Sequence, residues 1–292
     1  MLNRTAATAS LAILAAQISI NIGAALGKGL FARIGPEGVA ALRTSIAALL
    51  LLSFAKPWTF RVTRVQAPWL LAYGLTLGSM NLLIYWAFER IPIGIAVAIE
   101  ICGPLAVVLA TSRSARDFLW LALAVAGLAL LVPWPGAGAA LDPIGICFAV
   151  AAAACWALYI LFGKRASQVE SRTAVALGMT AACLITLPFG VTAAGRELLT
   201  GHVLMLGAVV AVLSSALPYL MEMKALERLS SRVFGVVTSS APAIAAVVGF
   251  LILGERLTAA QWLAVVLMVT ASAGCSLTSK PAVERAREDV VT

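Results

Sequence analysis

The chain has 292 residues, 62% of them hydrophobic and 12% charged, with a formal net charge of +8 and a mean hydropathy of +1.00. Water-soluble domains run at about 45–50% apolar and ~25% charged, so a soluble globule of this make-up would expose far too much apolar surface; the composition is that of an integral membrane protein. The basic balance does not point to nucleic acid, because the bases fall between apolar runs and do not cluster on one polar, aromatic face.

A helix needs about 20 apolar residues to cross ~30 Å of hydrocarbon. Ten such stretches are predicted, at 7–31, 36–55, 67–88, 92–111, 117–133, 143–163, 172–190, 202–222, 232–253 and 259–278. All are expected to be helices, since lipid cannot satisfy an open backbone and the in-out alternation of a membrane barrel is absent. The first run carries Arg4 and continues without a clear small-residue cleavage site, so it is expected to stay as the first span and not to be a signal peptide. The segments between spans are short and leave no room for an extramembrane domain.

With the N-terminus placed in the cytoplasm, fifteen Lys and Arg residues fall on the inner side. Four, Arg33, Arg90, Arg196 and Arg256, fall on the outer side, and Lys28 and Arg43 lie inside spans. The positive-inside rule then places both termini in the cytoplasm. The tail 279–292 is charged and predicted to be disordered.

The chain repeats itself. Sliding Asn81–Pro104 by 138 positions aligns Ala87 with Ala225, Glu89 with Glu227, Arg90 with Arg228 and Pro104 with Pro242. Gly27-Lys28 is echoed by Gly163-Lys164, and the Trp-Leu-Ala at Trp120 by that at Trp262. The expected organisation is a first five-helix repeat over 1–133 and a second over 143–278. Because five is odd, the second copy enters the membrane the other way up. The fold class expected is an all-α membrane protein of ten transmembrane helices in two inverted five-helix repeats, an arrangement that can rock between outward-open and inward-open forms and favours a transporter.

Glu100 is the sharpest single residue. It lies about eight residues, or ~12 Å, inside the fourth span, at a depth where an ionisable group is costly and faces a cavity or a partner. The alternatives are substrate or proton handling and a structural bond between helices. Arg43 can either pair with Glu100 or reach back to the interface. Pro104 cannot donate to the Glu100 carbonyl, which loosens the backbone beside the acid.

Asn81 and Tyr85 share one helical face of the third span, and Trp156 and Tyr159 share one of the sixth. The repeat sets Tyr219 opposite Asn81 and Thr238 opposite Glu100, with Ser214, Ser215, Ser239 and Ser240 as further polar groups of the second half. Either cavity lining or plain helix packing accounts for the two aromatics of the sixth span. Gln17 and Asn21 share a face of the first span and suit interhelical hydrogen bonding. Lys28, in the last turn of its span, is expected to snorkel to the outer surface, and Glu222 to lie at the inner interface.

Gly23 and Gly27 form a G-x-x-x-G, a weak marker of close helix packing. Five cysteines lie singly in apolar runs, and the only histidine, His202, cannot build a metal site alone. No catalytic or nucleotide-binding fingerprint is present, so no enzyme activity, cofactor or metal is expected.

Five stretches resemble the ten-helix, EamA-type branch of the drug/metabolite transporter superfamily: GVAALR (Gly38 to Arg43), GSMNLLIY (Gly78 to Tyr85), PIGIAVAIEICGPLAV (Pro92 to Val107), CWALYIL (Cys155 to Leu161) and SSALPYLMEMKAL (Ser214 to Leu226). Within it the chain is most similar to bacterial threonine/homoserine and aromatic amino-acid exporters. The resemblance implies a multi-pass protein of the bacterial inner membrane. It implies export of amino acids or related small metabolites by alternating access through a central cavity, with protons as a candidate coupling ion. The lining set it implies is Asn81, Tyr85, Glu100, Trp156 and Tyr159, to which the repeat adds Tyr219 and Ser239, with Glu100 and Arg43 as candidate proton or charge partners. A drug exporter of the same fold and a non-transporting membrane scaffold are the alternatives. Small four-helix relatives carry a coupling glutamate in their first helix, where this chain has Gln17, Ser19 and Asn21, so their coupling mechanism does not carry over.

Overall fold

Hydropathy of this kind leaves only helices to satisfy the backbone, and helices are what the chain forms. The computed structural model describes residues 4–57, 62–111, 115–131, 141–166, 171–218, 221 and 237–278. Tyr219, Glu222 and the tail lie outside the described residues.

The elements are α1 (Arg4–Lys28), α2 (Phe31–Ala55), α3 (Ala67–Arg90), α4 (Ile93–Glu100), α5 (Cys102–Thr111), α6 (Ala115–Leu131), α7 (Pro143–Ala166), α8 (Ser171–Ala194), α9 (Gly201–Ala211), α10 (Ala241–Leu253) and α11 (Ala259–Thr278). A 3₁₀ turn, Gly195–Leu199, precedes α9. A π-helical turn, Val212–Ala216, follows it. Among the described residues five helices are long and apolar enough to cross a membrane, and five shorter apolar helical stretches fall at the other expected spans. Their outward faces carry large apolar side chains, Leu49, Phe54, Leu184 and Leu251 each being 65% exposed or more, as suits a surface that meets lipid.

Two departures from regular helix have local causes. In α2, Gly35 takes φ +67°, and Pro36 directly after it starts the long helix, so Phe31–Ala55 bends there. The fourth span, expected as one helix, is two. It breaks at Ile101, between Glu100 and the Gly103-Pro104 pair. Pro104 withholds the N–H that would bond the Glu100 carbonyl, and a Cβ at Gly103 would collide with Ala153 O of α7. The break therefore sits where α5 presses closest on α7.

Packing follows a reciprocal pattern. α2 packs on α8, α4 on α10, and α6 on α11, while α3 packs on α7 and α1 on α9 and its π turn. In each of the first three pairs, the partners occupy equivalent places in the two halves of the sequence. The largest buried cluster draws on α2, α3, α4, α7, α10 and α11, with Ile91, Ile93, Ile95 and Ile99 each at most 2% exposed. It fills the end of the bundle where α1, α3 and α10 finish.

Candidate functional site

Arg43 organises the middle of the molecule. From α2 its Nη1 donates to Asn81 Oδ1 of α3 at 2.7 Å, its Nε to Ser215 Oγ at 2.9 Å, and its Nη2 to the Ser214 carbonyl at 3.1 Å. Its Cζ lies 5.6 Å from the Tyr85 ring centroid. All these partners are neutral.

The backbone of the π turn and the proline after it leave two carbonyls open. Leu217 N–H bonds to Val212 O, which leaves Leu213 O without the helical partner it would otherwise have. Ser19 Oγ of α1 takes that carbonyl at 2.7 Å; the next one, Ser214 O, has no helical donor because Pro218 lacks an N–H, and Arg43 takes it. A Cβ on Gly23 would lie 2.8 Å from Ser214 Cβ, and one on Gly27 would lie 3.4 Å from the Tyr85 hydroxyl. The G-x-x-x-G of α1 thus admits both the π turn and Tyr85 at close range.

Asn81, 2% exposed, is fixed at its other end by Nδ2 donating to Leu77 O at 2.8 Å. Tyr85 is 1% exposed, yet its hydroxyl has no hydrogen-bond partner. Phe31 and Phe88 hold its ring at 5.9 and 5.6 Å.

Glu100 ends α4 at 9% exposure, and among the described residues it makes no hydrogen bond or ion pair. Pairing with Arg43, one of the two expectations, does not occur; nor does Arg43 reach the interface, its fork being held by Asn81 and the serines. Arg43 and Cys155 of α7, next to Trp156, are nonetheless among the neighbours of Glu100. Trp156 is half-buried. Its Cβ would lie 3.2 Å from a Cβ on Gly103, so it sits against the break that follows Glu100.

Tyr159 is placed elsewhere. It stacks on Tyr73 with centroids 4.6 Å apart, their hydroxyls 2.9 Å from one another. Ser239 Oγ donates to Ser272 Oγ of α11 at 2.9 Å, while the neighbouring Thr238 Oγ1 is buried without a partner. Asn21 donates to Gln17 O within α1. His202 is exposed, and no cluster of metal-ligating side chains occurs among the described residues.

A second charged centre lies at the end of the bundle, and here the expectation for Lys28 fails. Lys28 does not snorkel; its Nζ lies 2.8 Å from Glu255 Oε1 and 3.4 Å from Ile91 O, with side chains 22% and 12% exposed. Gly254, at φ +68°, turns the chain at the end of α10 and delivers Glu255 to that place. Glu255 Oε2 also accepts the Ile93 N–H at 3.0 Å, so one carboxylate neutralises a lysine and caps the positive end of α4. Sequence reading missed Glu255, although an acid set directly after a glycine that ends an apolar run was a usable signal. At the same end, Trp86 donates to Glu37 at 2.6 Å, and exposed Arg90 pairs with Asp142 at 2.9 Å. The hydrogen bond from Arg90, and that from the Ile144 N–H, hold the Asp142 carboxyl below its ordinary value.

Comparison with known proteins places this arrangement. The chain is 47% identical over 268 residues to "Threonine/homoserine exporter RhtA" of Salmonella typhimurium (strain SL1344), covering 92% of this chain and 91% of the relative. It is likewise 47% identical over 266 residues to the protein of that name from Escherichia coli (strain K12), covering 91% and 90%. The model of the EamA-like transporter family matches residues 143–277. The chain belongs to the EamA-like transporter family. It is a multi-pass membrane transporter for a small-molecule substrate and not an enzyme. A solved crystal structure at 17% identity, TM-score 0.60, covering 93% of this transporter and 98% of that chain, shares the fold.

Proposed function

We propose that this transporter exports amino acids, threonine and homoserine foremost, from the cytoplasm across the bacterial inner membrane. The observation that carries the reading is 47% identity over nine-tenths of the chain to exporters of that name. The site chemistry supports it: a zwitterion needs an anion and a cation held apart in a dry place, and Glu100 and Arg43 are both within spans and unpaired with each other.

The proposed substrate path is lined by Asn81, Tyr85, Glu100 and Trp156, with Tyr219 and Ser239 from the second half and, away from this centre, Tyr159 beside Tyr73; Glu100 is the group that takes a proton or the substrate ammonium. The proposed units are repeats over 1–133 and 143–278, inverted with respect to one another. The packing of α2 on α8, α4 on α10 and α6 on α11 supports that division, and rocking between the two would give alternating access. Both termini face the cytoplasm in this reading, by the charge bias between loops. The Lys28–Glu255 end is then the outer one, and the form described here is closed to the outside.

Counterflow in proteoliposomes with a panel of labelled amino acids tests the proposal. Threonine or homoserine is expected to exchange. Exchange of lipophilic cations with no amino acid carried would turn the reading to a drug exporter, and exchange of nothing by folded protein would turn it to a scaffold.

A further inference from the structure

We infer that Arg43 is the receptor for the substrate's carboxylate, which rests on the exporter reading and narrows it to solutes with a free carboxylate group. A guanidinium has five N–H groups. Three of those of Arg43 are committed to Ser215 Oγ, Asn81 Oδ1 and Ser214 O, which leaves one on each terminal nitrogen. Free guanidinium N–H groups are what a carboxylate accepts in charge-assisted hydrogen bonds.

The state of the charge points the same way. Among the described residues Arg43 makes no ion pair. A cation inside a span is expensive and persists where it meets an anion or a watered path. An arginine that merely glued helices would be cheaper neutralised, as Lys28 is by Glu255. Here neutral acceptors from α3 and the π turn fix the plane of the fork and leave its charge unspent.

Tyr85 supplies a second, independent sign. Its hydroxyl is buried and has no partner, beside a ring 5.6 Å from Arg43 Cζ. Leaving a buried O–H unsatisfied is costly, and a carboxylate seated on the Arg43 fork gives that donor an acceptor. Glu100 does not fill the role, since it bonds neither to Arg43 nor to Tyr85. It remains available for the other pole of a zwitterion.

The test is competition in threonine counterflow by homoserine against threoninamide and threonine methyl ester, which keep the ammonium and lose the carboxylate. The wild-type protein is expected to favour the free acid by roughly ten- to hundredfold, the scale of a charge-assisted pair. Arg43→Gln is expected to abolish that preference, and Arg43→Lys, which keeps the charge without the fork, to retain part of it. Equal competition by acid and amide in a wild-type protein that exchanges threonine overturns the role of Arg43 and leaves the exporter reading intact. So does an undiminished preference in Arg43→Gln or, should that variant not fold, a full wild-type preference in Arg43→Lys. A folded wild-type protein that exchanges no amino acid overturns both.

Discussion

Among the described residues an acid and a base meet at one end of this transporter and another acid and base lie in its middle, and the two sets are built in opposite ways. At the end of the bundle Lys28 and Glu255 meet at 2.8 Å, and the second oxygen of the acid caps α4. In the middle Arg43 and Glu100 act on each other through space but do not touch. The first pair has done in the folded chain what charges in a low dielectric do when free to move. The second is kept from doing so: Asn81 and the serines hold the arginine, and the acid sits on a helix that breaks immediately after it. Lys28 and Glu255 satisfy one another, whereas Arg43 and Glu100, held apart, are ready in the proposed function for a solute that brings both signs.

The sharpest way to break this contrast is to neutralise one member of each pair. Glu100→Gln is expected to cut threonine counterflow by about tenfold or more, the scale of one charge-assisted contact, while thermal unfolding stays at or above the wild-type temperature because no partner is orphaned. A variant that transports normally across pH would take Glu100 out of the mechanism. Glu255→Gln should do the reverse to stability. It leaves Lys28 and the α4 N-terminus half-satisfied, at a cost of about 1–3 kcal/mol. A cysteine placed at Ile91 should then react faster with an impermeant maleimide added from outside, and unchanged labelling would deny the pair its closing role.

Smaller effects sharpen the picture around Arg43. Gly23→Ala pushes a methyl group into Ser214, so about 1–3 kcal/mol of overpacking is expected, together with slower exchange as the π turn shifts. Normal exchange in this variant would separate the turn from transport. Least of all should Asp142→Asn matter, since its pair with Arg90 is exposed. The Asp142 carboxyl is held below its ordinary value, so its contribution is present above the usual carboxylate range and fades as pH falls through the lowered value. Any difference in unfolding temperature between wild type and Asp142→Asn should therefore shrink on acidification; a difference that grows would contradict the assignment.

Much of this molecule was legible in the sequence because the bilayer tests residues one stretch at a time. Apolar length gives a span and local charge gives a side, and neither depends on what packs against what. The spans, the weak point at Pro104, the shared face of Asn81 and Tyr85, and the depth of Glu100 within its span all follow from such local rules. Partnership does not, because it depends on how each helix is rotated about its axis and how near its neighbour comes. Lys28, read alone, is a snorkelling residue; it becomes half of an ion pair only because Gly254 turns Glu255 back toward it. Tyr159, read alone, suits a cavity or plain packing; only the structure supplies Tyr73 of α3 as the partner of its ring and hydroxyl. For Arg43 the sequence supplied an anomalous charge, and only the tertiary structure decided that neutral acceptors would hold it, because Asn81, Ser215 and the Ser214 carbonyl, which Pro218 leaves without an N–H partner, reach it from helices distant in the chain.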